Sequence, residues 1–348
     1  MAEHNGNDAE KIRELARKIA YYIASRPYII INMDLDGSLS FFSSKIFSPE
    51  VKIAGYSDSA TQFIKRNGIK NENCLCFDIY CTLKNLACID NHIIETLNHI
   101  IDDVCKCNPN LSRGVTFENY RNKYPFSTFI FLCAIYDKIG WAGFDLDAVV
   151  CHYQGNPVYL WELILRADDT LLTSRSRYIE NAENWWAWLL EISGKNGMLY
   201  KIYQKVMQFS GNEALYEKIY INNVLKKCFF TQTEDGFNVL CENYHKFNNA
   251  IANAFGIKYT YPNPKNLTRH TFVKIVFESD NKELLEKIIS SKYVFSYAFV
   301  TSRSLSVSIP ESKIDNFTGI KCNKNFDRPL EDADLEKLTK YVLKTVKY

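Results

Sequence analysis

Two aspartates separated by one residue follow the apolar run YIII in the segment INMDLDGSLS, residues 31–40. Alternate residues of a strand point the same way, so Asp34 and Asp36 would leave the end of a predicted buried strand side by side. Two like charges held together raise each other's pKa and are costly unless a cation neutralises them. A cation-binding site and a solvated Asx-type turn both account for this segment, and only residues elsewhere in the chain can distinguish them.

Acidic side chains also end two other predicted strands of the same region. The strand CLCF is followed by Asp78, and the strand LACI is followed by Asp90, Asn91 and His92. Ligands of open α/β sheets bind beyond the carboxyl ends of the strands. Carboxylates and an imidazole that arrive at one such edge are what a two-metal site needs. The spacing therefore favours a divalent-metal site at this edge.

The elements that must position these residues alternate between helix and strand. Residues 8–25 carry apolar side chains at a spacing of three or four, which predicts a helix. The continuous apolar character of YIIINM suits a parallel strand covered on both faces. Three more strands are predicted in SPEVKIAGY, NENCLCFDIY and LACID, with helices at SATQFIKRNG and NHIIETLNHIIDDVC. This alternation predicts an α/β fold with a parallel sheet.

The rest of the chain is predicted to be helical first and mixed afterwards. Residues 125–188 have a mostly helical pattern, which includes the buried helix FSTFIFLCAIY, and residues 178–256 form an aromatic-rich helical section. The proline-bearing segment YTYPNPKNLTRH predicts a boundary. After it come predicted strands at TFVKIVFES, YVFSYAFVT and SLSVSIP, and predicted helices at NKELLEKIISS and LEDADLEKLTKYVLKTVK.

Composition excludes several classes of protein. Of the 348 residues, 47% are hydrophobic and 14% aromatic, which is enough for sizeable cores. The net charge of +2 gives no overall nucleic-acid footprint. The polar start MAEHNGNDAEKIRELARK lacks the apolar stretch of a signal peptide, and the longest apolar run is too short to cross a bilayer. We expect a cytoplasmic protein without membrane contact.

The cysteines follow no disulfide framework. There are 11 of them, an odd count, and their spacing includes no C-x2-C pair of the kind that zinc sites use. Four lie on or beside predicted core strands. Free buried thiols in a reducing compartment are the prediction.

With these elements in place, a family resemblance follows from the motifs. The segment RELARKIAYYIASRPYIIINMDLDGSLSFFSSKIF resembles the opening of the DHH phosphoesterase superfamily, in which a helix and an apolar strand precede D-x-D-G-x-x-S. CFDIY is similar to the second motif, an aspartate at a strand end, and ACIDNH is similar to the Asp-His-His third motif. The resemblance covers about residues 10–140. The fourth motif is a further aspartate, for which LILRADDTLL offers Asp168 or Asp169.

The resemblance implies a metal-dependent hydrolase of the oligoribonuclease-like kind. The substrate would be a nucleotide-type phosphodiester, namely a short oligonucleotide, a cyclic dinucleotide or a single-stranded end, and the cofactor one or two divalent cations, Mn²⁺ or Mg²⁺. Asp36, Asp78 and His92 would be catalytic. The implied metal ligands are Asp34, Asp36, Asp78, Asn91, His92 and Asp168.

The resemblance also implies a domain organisation, and basic residues suggest substrate contacts. A DHH-type domain would span residues 1–177, a helical connector 178–260 and a smaller C-terminal α/β domain 261–348. Basic residues interleaved with aromatics in LSRGVTFENYRNKYPFST can follow a phosphate backbone, and the arginines of TSRSRY lie next to the fourth motif. The predicted substrate-binding residues are Ser40, Arg113, Arg175, Arg177, Arg303 and Lys324.

Departures from the family pattern leave two alternatives open. Asn32 and Asn91 stand where many relatives have stronger metal ligands, and FTGIKCNKNFDRP lacks the Gly-Gly-Gly-His loop. A DHH-fold protein without turnover, which binds nucleotides or nucleic acid or serves as a scaffold, is therefore a second hypothesis. The third is a haloacid-dehalogenase-type phosphatase with Asp34 as nucleophile and Asp36 as acid–base. That hypothesis leaves ACIDNH unexplained.

Overall fold

A computed structural model of the chain describes residues 2–57, 62–141, 149–153, 156–161, 164, 179–209, 242–279 and 282–310. The helices of this part are α1 (Ala2–Ser25), α2 (Leu35–Phe47), α3 (Pro109–Ser112), α4 (Thr128–Lys138), α5 (Ile179–Ser193), α6 (Met198–Phe209), α7 (Glu242–Ala254) and α8 (Lys282–Ile289). Its strands are β1 (Tyr28–Asn32), β2 (Lys52–Ser57), β3 (Gln62–Arg66), β4 (Cys74–Phe77), β5 (Ala87–Ile89), β6 (Lys106–Cys107), β7 (Val150–Tyr153), β8 (Asn156–Tyr159), β9 (Leu267–Glu278), β10 (Ser296–Thr301) and β11 (Ser304–Pro310).

One sheet collects strands from both ends of the described chain, in the order β10-β11-β9-β3-β2-β1-β4-β5-β6. The strands β2, β1, β4, β5 and β6 pair in parallel. The strands β3, β9, β11 and β10 continue the sheet through antiparallel pairs. The predicted α/β class with a parallel central sheet is confirmed, whereas the DHH-type domain layout stays a prediction.

The central strand β1 is covered on both faces, as its continuous apolar sequence predicts. Ile29 and Ile31 pack into a large core with α1, α2 and α4. Ile30 points the opposite way, into a smaller core that contains Phe63 and several cysteines. Side chains that alternate between two cores leave no position on the strand for a polar residue until the strand ends.

Helix α4 is the predicted buried helix. Its residues from Thr128 to Tyr136 are all buried, and a helix that is apolar all round belongs in a core. None of the helices in the described part of the chain combines the length and apolarity that a membrane span requires.

Strand β9 links the two halves of the sheet. Its first residues, 267–271, pair with β3, and the following ones, 272–278, pair with β11. The hairpin β10–β11 then returns to the parallel half, where Phe299 N donates to Ile93 O at 2.9 Å and Ser296 Oγ donates to Tyr80 O at 2.6 Å. The strands after residue 260 therefore belong to the same sheet as the strands of the N-terminal part. The hairpin also contacts the loop between β4 and β5. The predicted domain boundaries at 177 and 260 stay predictions.

Two predicted helices are wrong. SATQFIKRNG contains β3 instead, because Phe63 and Ile64 are buried through pairing with β2 and β9. NHIIETLNHIIDDVC forms a loop, because side chains bind the backbone N–H groups that a helix would need. Glu95 accepts from Ile101 N at 2.7 Å and Glu118 accepts from Leu97 N at 3.1 Å.

The predicted helical sections are confirmed in part. Helices α5, α6 and α7 fall inside the section 178–256. In the section 125–188, where the pattern also predicts helix, β7 and β8 form an antiparallel hairpin. Strands β9, β10 and β11 and helix α8 match the predicted elements of the C-terminal part. The last predicted helix, LEDADLEKLTKYVLKTVK, lies outside the described residues.

Gly55 allows β2 and β3 to approach closely. A Cβ on it would overlap the Ile64 carbonyl oxygen and lie 3.1 Å from the Cα of Lys65, both backbone atoms of β3. We expect Gly55→Ala to lower the free energy of unfolding by about 1–3 kcal/mol and to reduce amide hydrogen-exchange protection in β3 and β9. Lys52→Ala, at an exposed position of the same strand, is the control and should change neither quantity appreciably. Unchanged protection of β3 in Gly55→Ala would contradict this account.

Candidate metal centre

Three neighbouring parallel strands bring the predicted acidic residues to one edge. Strand β1 pairs with β4, and β4 pairs with β5, all in parallel. Their last paired residues, Ile31, Phe77 and Ile89, lie side by side, and the acidic residues follow them at the same edge. The structure brings together Asp34, Asp36, Asp78, Asp90 and His92.

Asp34 begins helix α2 as its N-cap. Its Oδ1 accepts from Gly37 N at 2.9 Å, and its carbonyl accepts from Ser38 Oγ at 2.7 Å. Gly37 is required because a Cβ there would overlap the Asn32 carbonyl oxygen and lie 2.8 Å from Asn32 N. The D-x-D-G segment is therefore a tight strand-to-helix turn that keeps Asp34 and Asp36 at the sheet edge.

Asn32 joins two of the carboxylates. Its amide Nδ2 donates to Asp34 Oδ2 and to Asp78 Oδ2, both at 2.8 Å. The side chain is buried and stands between the ends of β1 and β4. In this arrangement Asn32 presents its hydrogen atoms, and not its oxygen, to the two carboxylates.

Asp36 holds the start of helix α4. Its two carboxylate oxygens accept from Thr128 N and Phe129 N, each at 2.8 Å. These amides are the first of the helix, where a negative charge is favoured. Burial and the neighbouring Asp34 nevertheless raise the pKa of Asp36 to about 7, against the opposing effect of the two amides.

Asp78 leaves β4 in a left-handed backbone conformation, with φ of 58°. Its Oδ1 accepts from Thr128 Oγ1 at 3.1 Å. Burial raises the pKa of Asp78 well above its usual range, and the charges of Asp36, Asp34 and Asp90 raise it further. The edge thus concentrates negative charge away from water, which is the condition that a bound cation relieves.

Asp90 and His92 form an ordered pair. Asp90 Oδ1 lies 2.7 Å from His92 Nδ1, and Asp90 Oδ2 accepts from His92 N at 3.0 Å. Partial desolvation of the ring disfavours its charged form, but the Asp90 carboxylate outweighs this effect and raises the pKa of His92. With Nδ1 turned to the carboxylate, Nε2 of this half-exposed ring is left for a ligand, an arrangement common at metal sites.

The ligand atoms of Asp78, Asp90 and His92 lie within 4.8 Å of one another, so this group could hold a metal ion. Carboxylate oxygens and an imidazole suit Mg²⁺, Mn²⁺ or Zn²⁺ by their chemistry. Asp34 and Asp78 both accept hydrogen bonds from the Asn32 amide. Asp36 and Asp78 both accept hydrogen bonds from Thr128, from its backbone N–H and its hydroxyl respectively.

Other predicted site residues lie elsewhere. The Asn91 amide donates to Phe126 O at 2.9 Å, so it ties the end of β5 to the loop before α4. Ser40 is buried in α2, and its hydroxyl has no hydrogen-bond partner among the described residues. Arg303 lies in the exposed turn between β10 and β11. Asp168, Arg175, Arg177 and Lys324 lie outside the described residues, as does the alternative Asp169.

Arg113 lines a cavity that does not include the carboxylates of the sheet edge. Its guanidinium lies 4.5 Å from the ring centre of Trp185 and 5.7 Å from that of Trp188. It lines a cavity of about 810 Å³ together with residues of α1 and α5, among them Lys11 and Lys18, and none of the carboxylates at the sheet edge lines it. The structure does not bring Arg113 to the candidate centre.

Three contributors fall outside the predicted ligand and catalytic sets. Asp90 is visible in the sequence as the acid of ACIDNH at a strand end, and it is the residue that orients His92. Asn108 donates to His92 O at 2.7 Å, and Thr128 donates to Asp78. No local signal identifies Asn108 or Thr128, because both reach the centre only through the tertiary fold.

No family model, curated protein or solved structure matches the chain. Membership of the DHH superfamily therefore stays an expectation from the motifs.

The raised pKa of Asp36 predicts how the free energy of unfolding depends on pH when a chelator keeps the protein free of metal ions. Between about pH 4 and about pH 7 the folded chain holds a proton that the unfolded chain has released. The free energy of unfolding should therefore fall as pH rises, by up to about 1.4 kcal/mol per pH unit for this group alone, and the raised pKa of Asp78 adds to the fall. The raised pKa of His92 acts in the same direction, since its stabilising charge is lost as pH rises through that pKa.

Urea unfolding over this pH range measures the slope. Asp36→Asn cannot titrate and should make the slope shallower, with the contribution of the raised pKa of Asp78 remaining, whereas Asp102→Asn, which removes an exposed carboxylate, should leave the slope unchanged. A saturating divalent cation should also remove the slope because it favours the ionised carboxylates. A stability that rises with pH in the chelated protein would refute the account.

Proposed function

We propose that this protein is a divalent-metal-dependent phosphoesterase that hydrolyses a nucleotide-type phosphodiester. The observation that supports the proposal is the convergence of Asp78, Asp90 and His92 within 4.8 Å, next to the charges of Asp34 and Asp36. Their oxygen and imidazole donors suit Mg²⁺ or Mn²⁺. The same residues carry the resemblance to the DHH motifs.

The chain's own residues divide the remaining tasks. A divalent cation would supply an activated water and stabilise negative charge on the phosphoryl oxygens. Asp78 and Asp90 would hold the cation with their carboxylates, and Asn32 fixes the positions of Asp34 and Asp78. His92 is oriented by Asp90 through Nδ1, so that Nε2 can bind the cation or hold a proton at a substrate oxygen.

Lys123 is a basic residue that the structure places near this centre. It lies close enough to His92 for its charge to oppose protonation of the imidazole and so to lower the His92 pKa, against the larger effect of Asp90. Its ammonium lies 5.1 Å from the ring centre of Tyr120. The Tyr120 ring is buried and its hydroxyl accepts from Lys123 Nζ at 3.2 Å, so it positions the ammonium, which can pair with a substrate phosphate.

The haloacid-dehalogenase mechanism fits this geometry less well. It needs Asp36 to exchange protons with a substrate bound at Asp34. Both oxygens of Asp36 instead accept backbone amides of α4, and the side chain is 4% exposed. Asp36 is placed to hold α4 and not to reach a substrate.

A second candidate function is nucleotide binding without turnover. Asn32 favours it, because the amide between Asp34 and Asp78 already compensates part of the charge that a second cation would neutralise. A neutral amide is also a weaker ligand for Mn²⁺ than a carboxylate or an imidazole. The two candidates differ in catalysis, and a turnover assay distinguishes them.

The assay incubates the purified chain with a short single-stranded oligonucleotide or a cyclic dinucleotide and Mg²⁺ or Mn²⁺, and measures released nucleoside monophosphate. Asp78→Asn and His92→Gln should each lower the rate about a hundredfold or more, because each removes a cation ligand or proton carrier. Asp102→Asn is the matched control and should retain the rate. No release with any substrate would favour the binding protein, and release that persists in Asp78→Asn would place the site elsewhere.

Replacing Asn32 tests its role directly. Asn32→Asp exchanges a donor amide for another carboxylate, so the chelated protein should lose stability while its affinity for Mn²⁺ rises about tenfold. Asn253→Asp, on the exposed side of α7, is the control. Titration calorimetry measures the affinity, and an unchanged or weaker affinity in Asn32→Asp would show that the Asn32 position does not face the cation.

A further inference from the structure

Three cysteines converge on the sheet face opposite to the large core. Cys76 of β4 and Cys88 of β5 are register partners in neighbouring parallel strands. Cys81, in the loop between these strands, turns back toward them, and its Sγ lies 3.9 Å from Cys88 Sγ. The three sulfur atoms lie within 4.8 Å of one another, and all three side chains are buried.

A buried cation accompanies these thiols. Lys106 Nζ lies 3.6 Å from Cys88 Sγ and donates to Leu86 O at 2.7 Å and Leu83 O at 3.2 Å. Three acceptors match the three N–H groups of an ammonium. Lys106 is 5% exposed, and the carboxylate of Asp103, a partly exposed residue, lies 3.5 Å from the ammonium.

We propose that Cys76, Cys81 and Cys88 bind one thiophilic metal ion, Zn²⁺ or Cu⁺, with the Lys106 ammonium balancing the charge of the thiolates. Sulfur atoms that share a metal at about 2.3 Å lie about 4 Å apart, which is close to the separation of Cys81 and Cys88. Soft sulfur ligands select Zn²⁺ and Cu⁺ over Mg²⁺ and Mn²⁺.

Charge and enclosure both suit such an ion. Zn²⁺ with three thiolates carries one net negative charge, which the Lys106 ammonium offsets, and with Cu⁺ the same balance requires two thiolates and one neutral thiol. Asp103, the other charged partner of the ammonium, is partly exposed, so that water screens its charge. Each sulfur that binds as thiolate releases its proton to solvent. The three thiols are at most 2% exposed and belong to the small core that also contains Phe63 and Phe272.

This site is separate from the carboxylates of the proposed function, and its donors are of a different class. No C-x2-C pair marks it in the sequence, because strand register and the return of a loop, and not local spacing, bring the sulfurs together. The proposal holds whether or not the protein is a phosphoesterase.

The test titrates the reduced full-length protein with Cd²⁺, a spectroscopic substitute for Zn²⁺, and follows the ultraviolet thiolate-to-cadmium charge-transfer absorption. The band should saturate at one equivalent and disappear when Zn²⁺ competes. Cys81→Ser and Cys88→Ser should each weaken the apparent affinity more than about tenfold, and Lys106→Met about tenfold. A parallel arm adds Cu⁺ with a cuprous-selective chelator as competitor, and the tighter of the two ions identifies the preferred metal.

Two control variants show whether the absorption band comes from these three sulfurs. Cys74→Ser removes a buried thiol from the same core, and Asp78→Asn alters the carboxylate centre, and neither should change the band. If the cysteine variants do not fold, X-ray absorption of the unmodified protein loaded with one equivalent of Zn²⁺ should show a sulfur shell. An oxygen and nitrogen shell alone, or a band that persists in both Cys81→Ser and Cys88→Ser, would overturn the proposal.

Discussion

Mutual repulsion among buried carboxylates is the constraint on which the arrangement of this protein depends. Burial and the surrounding negative charges raise the pKa of Asp78 well above its usual range, and Asp36 titrates near neutrality for related reasons, with a pKa of about 7. Such a cluster persists in a folded chain only where donors compensate it. Here the compensation comes from the Asn32 amide, the first amides of α4 and the ring of His92.

The fold supplies these donors because two helices begin at the same edge where three strands end. Helix α2 starts on Asp34, directly after β1, and Gly37 lets its first turn lie against the end of that strand. Helix α4 comes from much later in the chain, yet its first amides meet Asp36. A carboxylate that caps a distant helix links the packing of the large core to the charge at the sheet edge, so that the stability of the core depends on the protonation of that edge.

Much of the central framework can be predicted from the sequence, because continuous apolar runs identify β1 and α4. The approach of Asp34 and Asp78 follows from strand order, once the strands are parallel and adjacent. Asp90 can also be predicted from the sequence, because it is the acidic residue of the motif ACIDNH. Thr128 and Asn108 cannot be predicted, since only tertiary contacts bring them to the site. The apolar spacing of the loop after β5 predicts a helix wrongly, because Glu95 and Glu118 bind the backbone amides that decide its conformation.

The β4–β5 loop connects the two groups of side chains that could hold a metal ion. It begins at Asp78, whose left-handed conformation turns the chain out of the sheet, and it carries Cys81 back beneath the strands it joins. The hairpin β10–β11 holds the same loop from outside, since Thr82 N donates to Phe295 O at 2.8 Å and Ser296 bonds to Tyr80 O. A shift of this loop would therefore move a carboxylate at the edge and a thiol in the small core together. The C-terminal strands contribute no side chain to either cluster. They nevertheless help to fix the positions of both, because they hold the loop that carries Asp78 and Cys81.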